Sequence, residues 1–251
     1  MALNLSNRVA LVTGASRGLG AAIAKSLGAA GAKVAVNYFG NADGANAVVR
    51  HIHEAGGEAE AFKADIRDET EVGRLVAAIE DQYGAIDILV PNATGPQPLV
   101  KIEDLTWRIH LDQLEFFVKS PMLLAKAVVG SMKKKRYGRI INIGSEVFEK
   151  GVAEFSNYVS AKGAQLGLTR SWAMELAPWQ ITVNLVAPGW IPTERHAGDS
   201  QEMKDDYAAK VPMKRMGVAA DIGAAVTFLA SDEANFITGQ KVSVNGGNSL
   251  E

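Results

Sequence analysis

Seven short apolar runs rich in β-branched residues alternate with longer amphipathic segments, and this alternation constrains the fold more than any other feature of the chain. The runs fall at 9–12, 34–38, 59–64, 86–90, 139–143, 181–186 and 241–244. Between them, residues 20–30, 42–54, 69–83 and 219–230 repeat apolar side chains at helical spacing. Strands joined through helices pair in parallel, and a parallel sheet is covered on both faces. The expected fold is α/β: a doubly wound parallel sheet of about seven strands with helices on both faces. No linker, repeat or low-complexity tract divides the chain, so residues 1–251 are expected to form one domain.

Bulk properties narrow the function. Lys and Arg number 26 against 28 Asp and Glu, a net charge of −2, so no surface for nucleic acid or an anionic membrane is expected. There are no cysteines, which removes disulfides, thiolate metal sites and a cysteine nucleophile. Among His51, His53, His110 and His196, only His51 and His53 lie close in sequence; they are read as solvated, and no metal is expected. The opening MALNLSNRV has no charged segment before an apolar run, and no stretch approaches a membrane span. The expected location is cytoplasmic. The basic cluster 133–136 is read as the cationic end of a helix.

In such sheets ligands bind beyond the carboxyl ends of the strands. After the first run comes LVTGASRGLGAAIA, with Gly14, Gly18 and Gly20 leading into a helix. Glycine lets the backbone approach a pyrophosphate, and a helix start offers free N–H groups and a favourable dipole. Three glycines also serve plain turns, but their place after the first strand favours a dinucleotide. After the fifth run comes Ser145, then Tyr158 thirteen residues later, then Lys162. On spacing alone, Tyr158 and Lys162 share a helix face and say little. The ordered set, TGxxxGxG, then Ser, then Tyr-x-x-x-Lys, resembles the short-chain dehydrogenase/reductase family over essentially the whole chain. The likeness is to its classical branch, which includes 3-oxoacyl-carrier-protein reductases and glucose-type dehydrogenases. It implies a Rossmann fold and an NAD(P)-dependent oxidoreductase moving hydride between a nicotinamide and a carbonyl or secondary alcohol.

The resemblance also implies a cofactor site. Gly14, Ser16, Arg17, Gly18, Leu19 and Gly20 would form the phosphate loop. Asp65 would hold the adenine amino group, with Ile66 against the ring. Asn92 and Ala93 would lie beside the ribose. Pro188, Gly189, Ile191 and Thr193 would meet the nicotinamide amide or a phosphate, and Tyr158 and Lys162 the nicotinamide ribose. NAD enzymes usually place an acid at the end of the second strand; here Asn37 stands there, and the next acid is Asp43. An acid would repel a 2′-phosphate, whereas Arg17 offers one paired hydrogen bonds. NADP(H) is therefore favoured over NAD(H). Arg17 also reads as a solvated first-turn residue, and Asp65 as a turn residue.

The chemistry needs all three polar residues. A phenol with a pKa of about 10 is a poor base near neutrality. A nearby ammonium and an oxidised nicotinamide favour the phenolate, so Lys162 is expected to lower Tyr158. Ser145 is expected to donate to the substrate oxygen and steady its developing charge.

Two segments depart from the family pattern. PNAT (91–94) stands where Asn-Asn-Ala-Gly is usual, so Thr94 adds a side chain near the nicotinamide. Phe117 falls where many members place an Asn that holds a proton-relay water. The stretch before it is about one helical turn longer than usual, and a shifted alignment brings Gln113 or Glu115 to that place. The substrate wall is expected to include Thr94, Val147, Phe148, Glu149, Phe155 and Trp190, under a lid of about 190–212. By resemblance, the helices around 123–135 and 158–177 and the C-terminal strand would build a homotetramer. Alternatives to a small-molecule carbonyl or alcohol substrate are a carrier-protein acyl chain and a weakly catalytic NADP-binding regulator. The acyl reading wants a basic patch beside the cleft, and the lid shows none.

Overall fold

The computed structural model describes residues 3–250. Its elements are β1 (Val9–Val12), α1 (Gly18–Ala29), β2 (Lys33–Tyr38), α2 (Ala42–Glu54), β3 (Glu58–Lys63), α3 (Glu69–Tyr83), β4 (Ile88–Val90), α4 (Trp107–Leu114), α5 (Ser120–Lys135), β5 (Gly138–Ile143), a short α6 (Val147–Lys150), α7 (Ser156–Leu176), β6 (Ile181–Pro188), α8 (Gln201–Lys210), α9 (Ala219–Ala230) and β7 (Lys241–Val244). The strands form one parallel sheet in the order β3-β2-β1-β4-β5-β6-β7. The order reverses between β1 and β4, which opens a crevice at their carboxyl ends.

All seven expected runs form strands. The fourth starts at Ile88 rather than 86, next to Asp87, whose Oδ2 accepts the Val9 N–H at 3.0 Å. Alternation along each strand splits the core in two. Ala10, Val12, Ile88 and Val90 face the layer of α1, α2 and α9. Val9, Leu11, Leu89 and Ile140 face the layer of α3, α5 and α7. Fully burying one Val, Leu or Ile contributes about 1.5–3 kcal/mol, so the central strands anchor the crevice rim. Gly223 lets α9 press against α1, since a Cβ there would overlap Ser26. His53 is not simply solvated: its Nε2 lies 2.9 Å from Ala59 O and ties α2 to β3.

The extra length before α5 is absorbed as a π-turn, Glu115–Lys119, between α4 and α5. The N–H and the hydroxyl of Ser120 both donate to Glu115 O, the hydroxyl at 2.7 Å. No helix among the described residues is long and apolar enough to cross a membrane. No group of three or more His, Asp or Glu among them is placed to hold a metal ion.

Candidate active site

The carboxyl ends of the strands open into a cavity of about 880 Å³. Its floor is the loop from β1 to α1, where Gly14 and Gly18 have φ of 62° and 57°. Left-handed backbone costs other residues about 1–2 kcal/mol. At Gly14 space forbids them as well, because a Cβ would lie 2.7 Å from Ala93 Cα. No side chain caps the start of α1, so its first N–H groups are free for an anion. Ser16, Arg17, Leu19 and Gly20 line the same end of the cavity. This glycine cradle and uncapped helix fit a dinucleotide pyrophosphate.

Several expected cofactor residues are committed to protein partners. Asn37 Oδ1 accepts the Gly14 N–H at 3.3 Å, and its amide donates to Phe62 O and Ala64 O at 3.3 Å each. Asn92 Nδ2 donates to Thr13 O at 2.9 Å and Gly14 O at 3.3 Å. Both asparagines hold the loop in shape from behind. Asp65 is clamped by Arg67 at 2.9 and 2.7 Å, and that hydrogen bonding holds its carboxyl below the usual range. Ile66 is buried beside it. At the end of β2, Phe39, Gly40 and Asn41 line the cavity, and none is acidic. Ala93, Pro188, Gly189, Ile191 and Thr193 line it further along.

Ser145, Tyr158 and Lys162 meet on the cavity wall, the first from the end of β5 and the others from α7. Lys162 Nζ donates to Ile143 O at 2.6 Å and Gln165 Oε1 at 3.2 Å. Tyr158 stacks on Phe155, centroids 4.7 Å apart, and meets Phe117 edge-on at 5.2 Å. Burial pushes the phenol up to about 12, against opposing pulls from the Ser145 hydrogen bond, the Arg195 charge and the Gln97 hydrogen bond. Burial, then the Arg195 charge, pushes Lys162 well below its usual range. Lys162 is not among the causes of the Tyr158 shift, whose direction is set by burial. Desolvation disfavours the charged form of both groups.

Phe117 fills the side of Lys162 where an Asn was absent: the ammonium stands 3.8 Å from its ring centroid. Neither shifted candidate takes that place. Gln113 Nε2 donates to Pro96 O at 2.9 Å, and Glu115 pairs with Arg108 at 3.2 Å.

On the substrate side, Thr94, Val147, Phe155 and Trp190 line the cavity. Phe148 does not; it turns outward over Gly163, where a Cβ would strike its ring at 2.7 Å. Glu149 pairs with Lys241 at 2.6 Å instead of facing substrate. Within the stretch expected as a lid, 190–212, polar contacts tie the chain down. Tyr207 of α8 donates to Glu146 Oε1 at 2.7 Å and accepts the Trp190 N–H at 2.8 Å. Asn248 Nδ2 donates to the same carboxylate at 3.0 and 3.1 Å. Sequence reasoning missed Gln97, which donates to Thr94 Oγ1 at 2.9 Å, and Arg195, which donates to Gly95 O at 2.7 Å. The one available signal was that Arg195 is the sole arginine in 190–212.

The family described as enoyl-(acyl carrier protein) reductase matches residues 14–249. The 3-oxoacyl-(acyl-carrier-protein) reductase FabG of Staphylococcus epidermidis is 41% identical over 243 residues, 96% of this chain and 98% of that protein. A solved Serratia marcescens short-chain dehydrogenase/reductase mutant is 36% identical with a TM-score of 0.91, covering 98% of this chain and 99% of that one. A blue fluorescent protein from a metagenomic library, solved in complex with NADPH, is 34% identical with a TM-score of 0.90, covering 98% of this chain and 100% of that one.

Proposed function

The chain belongs to the short-chain dehydrogenase/reductase family and is an NAD(P)-dependent oxidoreductase, and we propose that it uses NADPH to reduce a ketone at Ser145, Tyr158 and Lys162. The observation that carries the reading is the buried Tyr158 phenol on the cavity wall that it shares with Ser145, with Lys162 one turn away. When bound, the reduced nicotinamide supplies hydride to the carbonyl carbon and leaves oxidised. Tyr158 gives its proton to the carbonyl oxygen, so the ketone becomes an alcohol. Ser145 orients that oxygen and stabilises its developing charge. Lys162, fixed by Ile143 O and Gln165, holds the proton-transfer end of α7 in place. Arg17 and the acid-free end of β2 support NADPH over NADH.

The test follows NADPH and NADH absorbance across a panel of ketones. Wild type should oxidise NADPH with at least one ketone, and Tyr158→Phe should lose about 10²–10⁴-fold in rate. No turnover by wild type, or equal turnover by the variant, rejects the reading. A second reading is reduction of a 3-oxoacyl thioester, favoured by the S. epidermidis relative that carries that name; a thioester belongs in the same panel. Assembly as a homotetramer is part of the proposal. It is supported by exposed Met122 on α5 and Met174 on α7, the helices the family pairs. Light scattering should give about four times 26.7 kDa.

A further inference from the structure

Arg195 stands in the lid two residues beyond Thr193, on the wall of the cavity that holds Ser145, Gln97 and Tyr158. Its Nη2 donates to Gly95 O at 2.7 Å, spanning the cleft from the lid to the loop after β4. A guanidinium carries five N–H donors. Among the described residues no second acceptor and no carboxylate within ion-pair reach engages this one. Nearby acids are turned elsewhere. Glu194 Oε2 lies 3.7 Å from where a Cβ on Gly18 would be, and Glu146 is held by Tyr207 and Asn248. Arg195 and Tyr158 feel each other's charge, and partial desolvation draws the guanidinium down. Arg195 is exposed to the cavity and most of its donors are left open. A carboxylate can take the open donors through paired, charge-assisted hydrogen bonds.

We propose that Arg195 selects the substrate: the ketone reduced at Tyr158 carries a carboxylate that binds this guanidinium while the carbonyl faces Ser145. The inference rests on the reductase reading above. A cofactor phosphate offers the same anionic oxygens, and the Arg17 charge reaches Arg195 too, so the experiment separates the two sources.

The experiment measures NADPH-dependent kinetics with 3-oxobutanoate, 4-oxopentanoate and their ethyl esters, in wild type, Arg195→Met and Arg195→Lys. Calorimetric titration of the NADPH-saturated protein with each acid accompanies it. Wild type should favour at least one acid over its ester in kcat/KM. Arg195→Met should lower that ratio at least tenfold, through KM, and Arg195→Lys should recover part of it. Equal use of acid and ester by wild type overturns the proposal, as does a ratio that survives Arg195→Met. A raised KM for NADPH in Arg195→Met with the ratio intact assigns the arginine to a cofactor phosphate, and the proposal fails. If wild type turns over no ketone, the reductase reading fails by itself and calorimetry still decides. Acid binding lost in Arg195→Met then supports the anion site, and acid binding absent from wild type overturns it.

Discussion

Tyr158 sits between two aromatic rings, and the same ring acts oppositely on its two neighbours. Phe117 helps keep water from the phenol, which favours the neutral proton donor that carbonyl reduction needs. Its face, 3.8 Å from Lys162 Nζ, favours the ammonium. Phe117 is 3% exposed, so Phe117→Ala should destabilise the chain by about 3–5 kcal/mol. Urea unfolding measures this, and a loss below about 1 kcal/mol would mean the ring is not packed as described. Ser145, Tyr158 and Lys162 were readable because their order and spacing survive in one dimension. Phe117 was readable only as a missing acceptor. Its role against the ammonium depends on how α4, the π-turn and α7 meet, which no local pattern encodes. Gln97 and Arg195 reach the site from irregular segments, where periodicity is silent.

At the scale of elements, the central strands were legible because a strand buried on both faces writes a continuous apolar run. The π-turn registered only as surplus length, and the lid only as polarity. Phe117 packs the π-turn into a small apolar cluster, whereas Tyr207 ties the lid by polar contacts. The loop between β1 and α1 depends on backbone shape, and Gly14→Ala tests that dependence. The new Cβ meets Ala93 Cα at 2.7 Å in a left-handed conformation, so NADPH affinity should fall at least tenfold in a fluorescence titration as the cradle opens. Binding within twofold of wild type would show that the loop tolerates the side chain. The lid depends on one hydroxyl. Tyr207→Phe leaves the Trp190 N–H and a Glu146 oxygen short of a partner, about 1–3 kcal/mol of local stability. Amide exchange at Trp190 should quicken about tenfold or more while the core strands exchange as before. Unchanged exchange at Trp190 would mean that the edge-on contact of its ring with Tyr207, centroids 5.3 Å apart, is enough to hold the segment.

For the whole molecule, burial of phenols sets a limit at high pH. Tyr83, Tyr137, Tyr158 and Tyr207 lie on different parts of the fold, and burial pushes each up to about 12. An unfolded tyrosine ionises near 10. Below pH 10 both states keep the phenolic proton, and this contribution to stability is complete. Between 10 and about 12 the unfolded chain releases protons that the folded chain retains, so stability falls as pH rises. Each tyrosine contributes at most about 1.4 kcal/mol per pH unit in that window. Lys162 runs the other way. Its folded-state pKa is depressed by burial, so the stability it contributes is lost as pH falls through that value. Urea midpoints should therefore hold up to about pH 10 and drop steeply above it. Most tyrosinate absorbance should appear together with loss of the near-ultraviolet circular dichroism rather than before it. A titration in which most tyrosines ionise near pH 10 with the fold intact would show that these phenols are open to water. Tyr158 would then lack a hydrophobic wall, and with it the neutral proton donor.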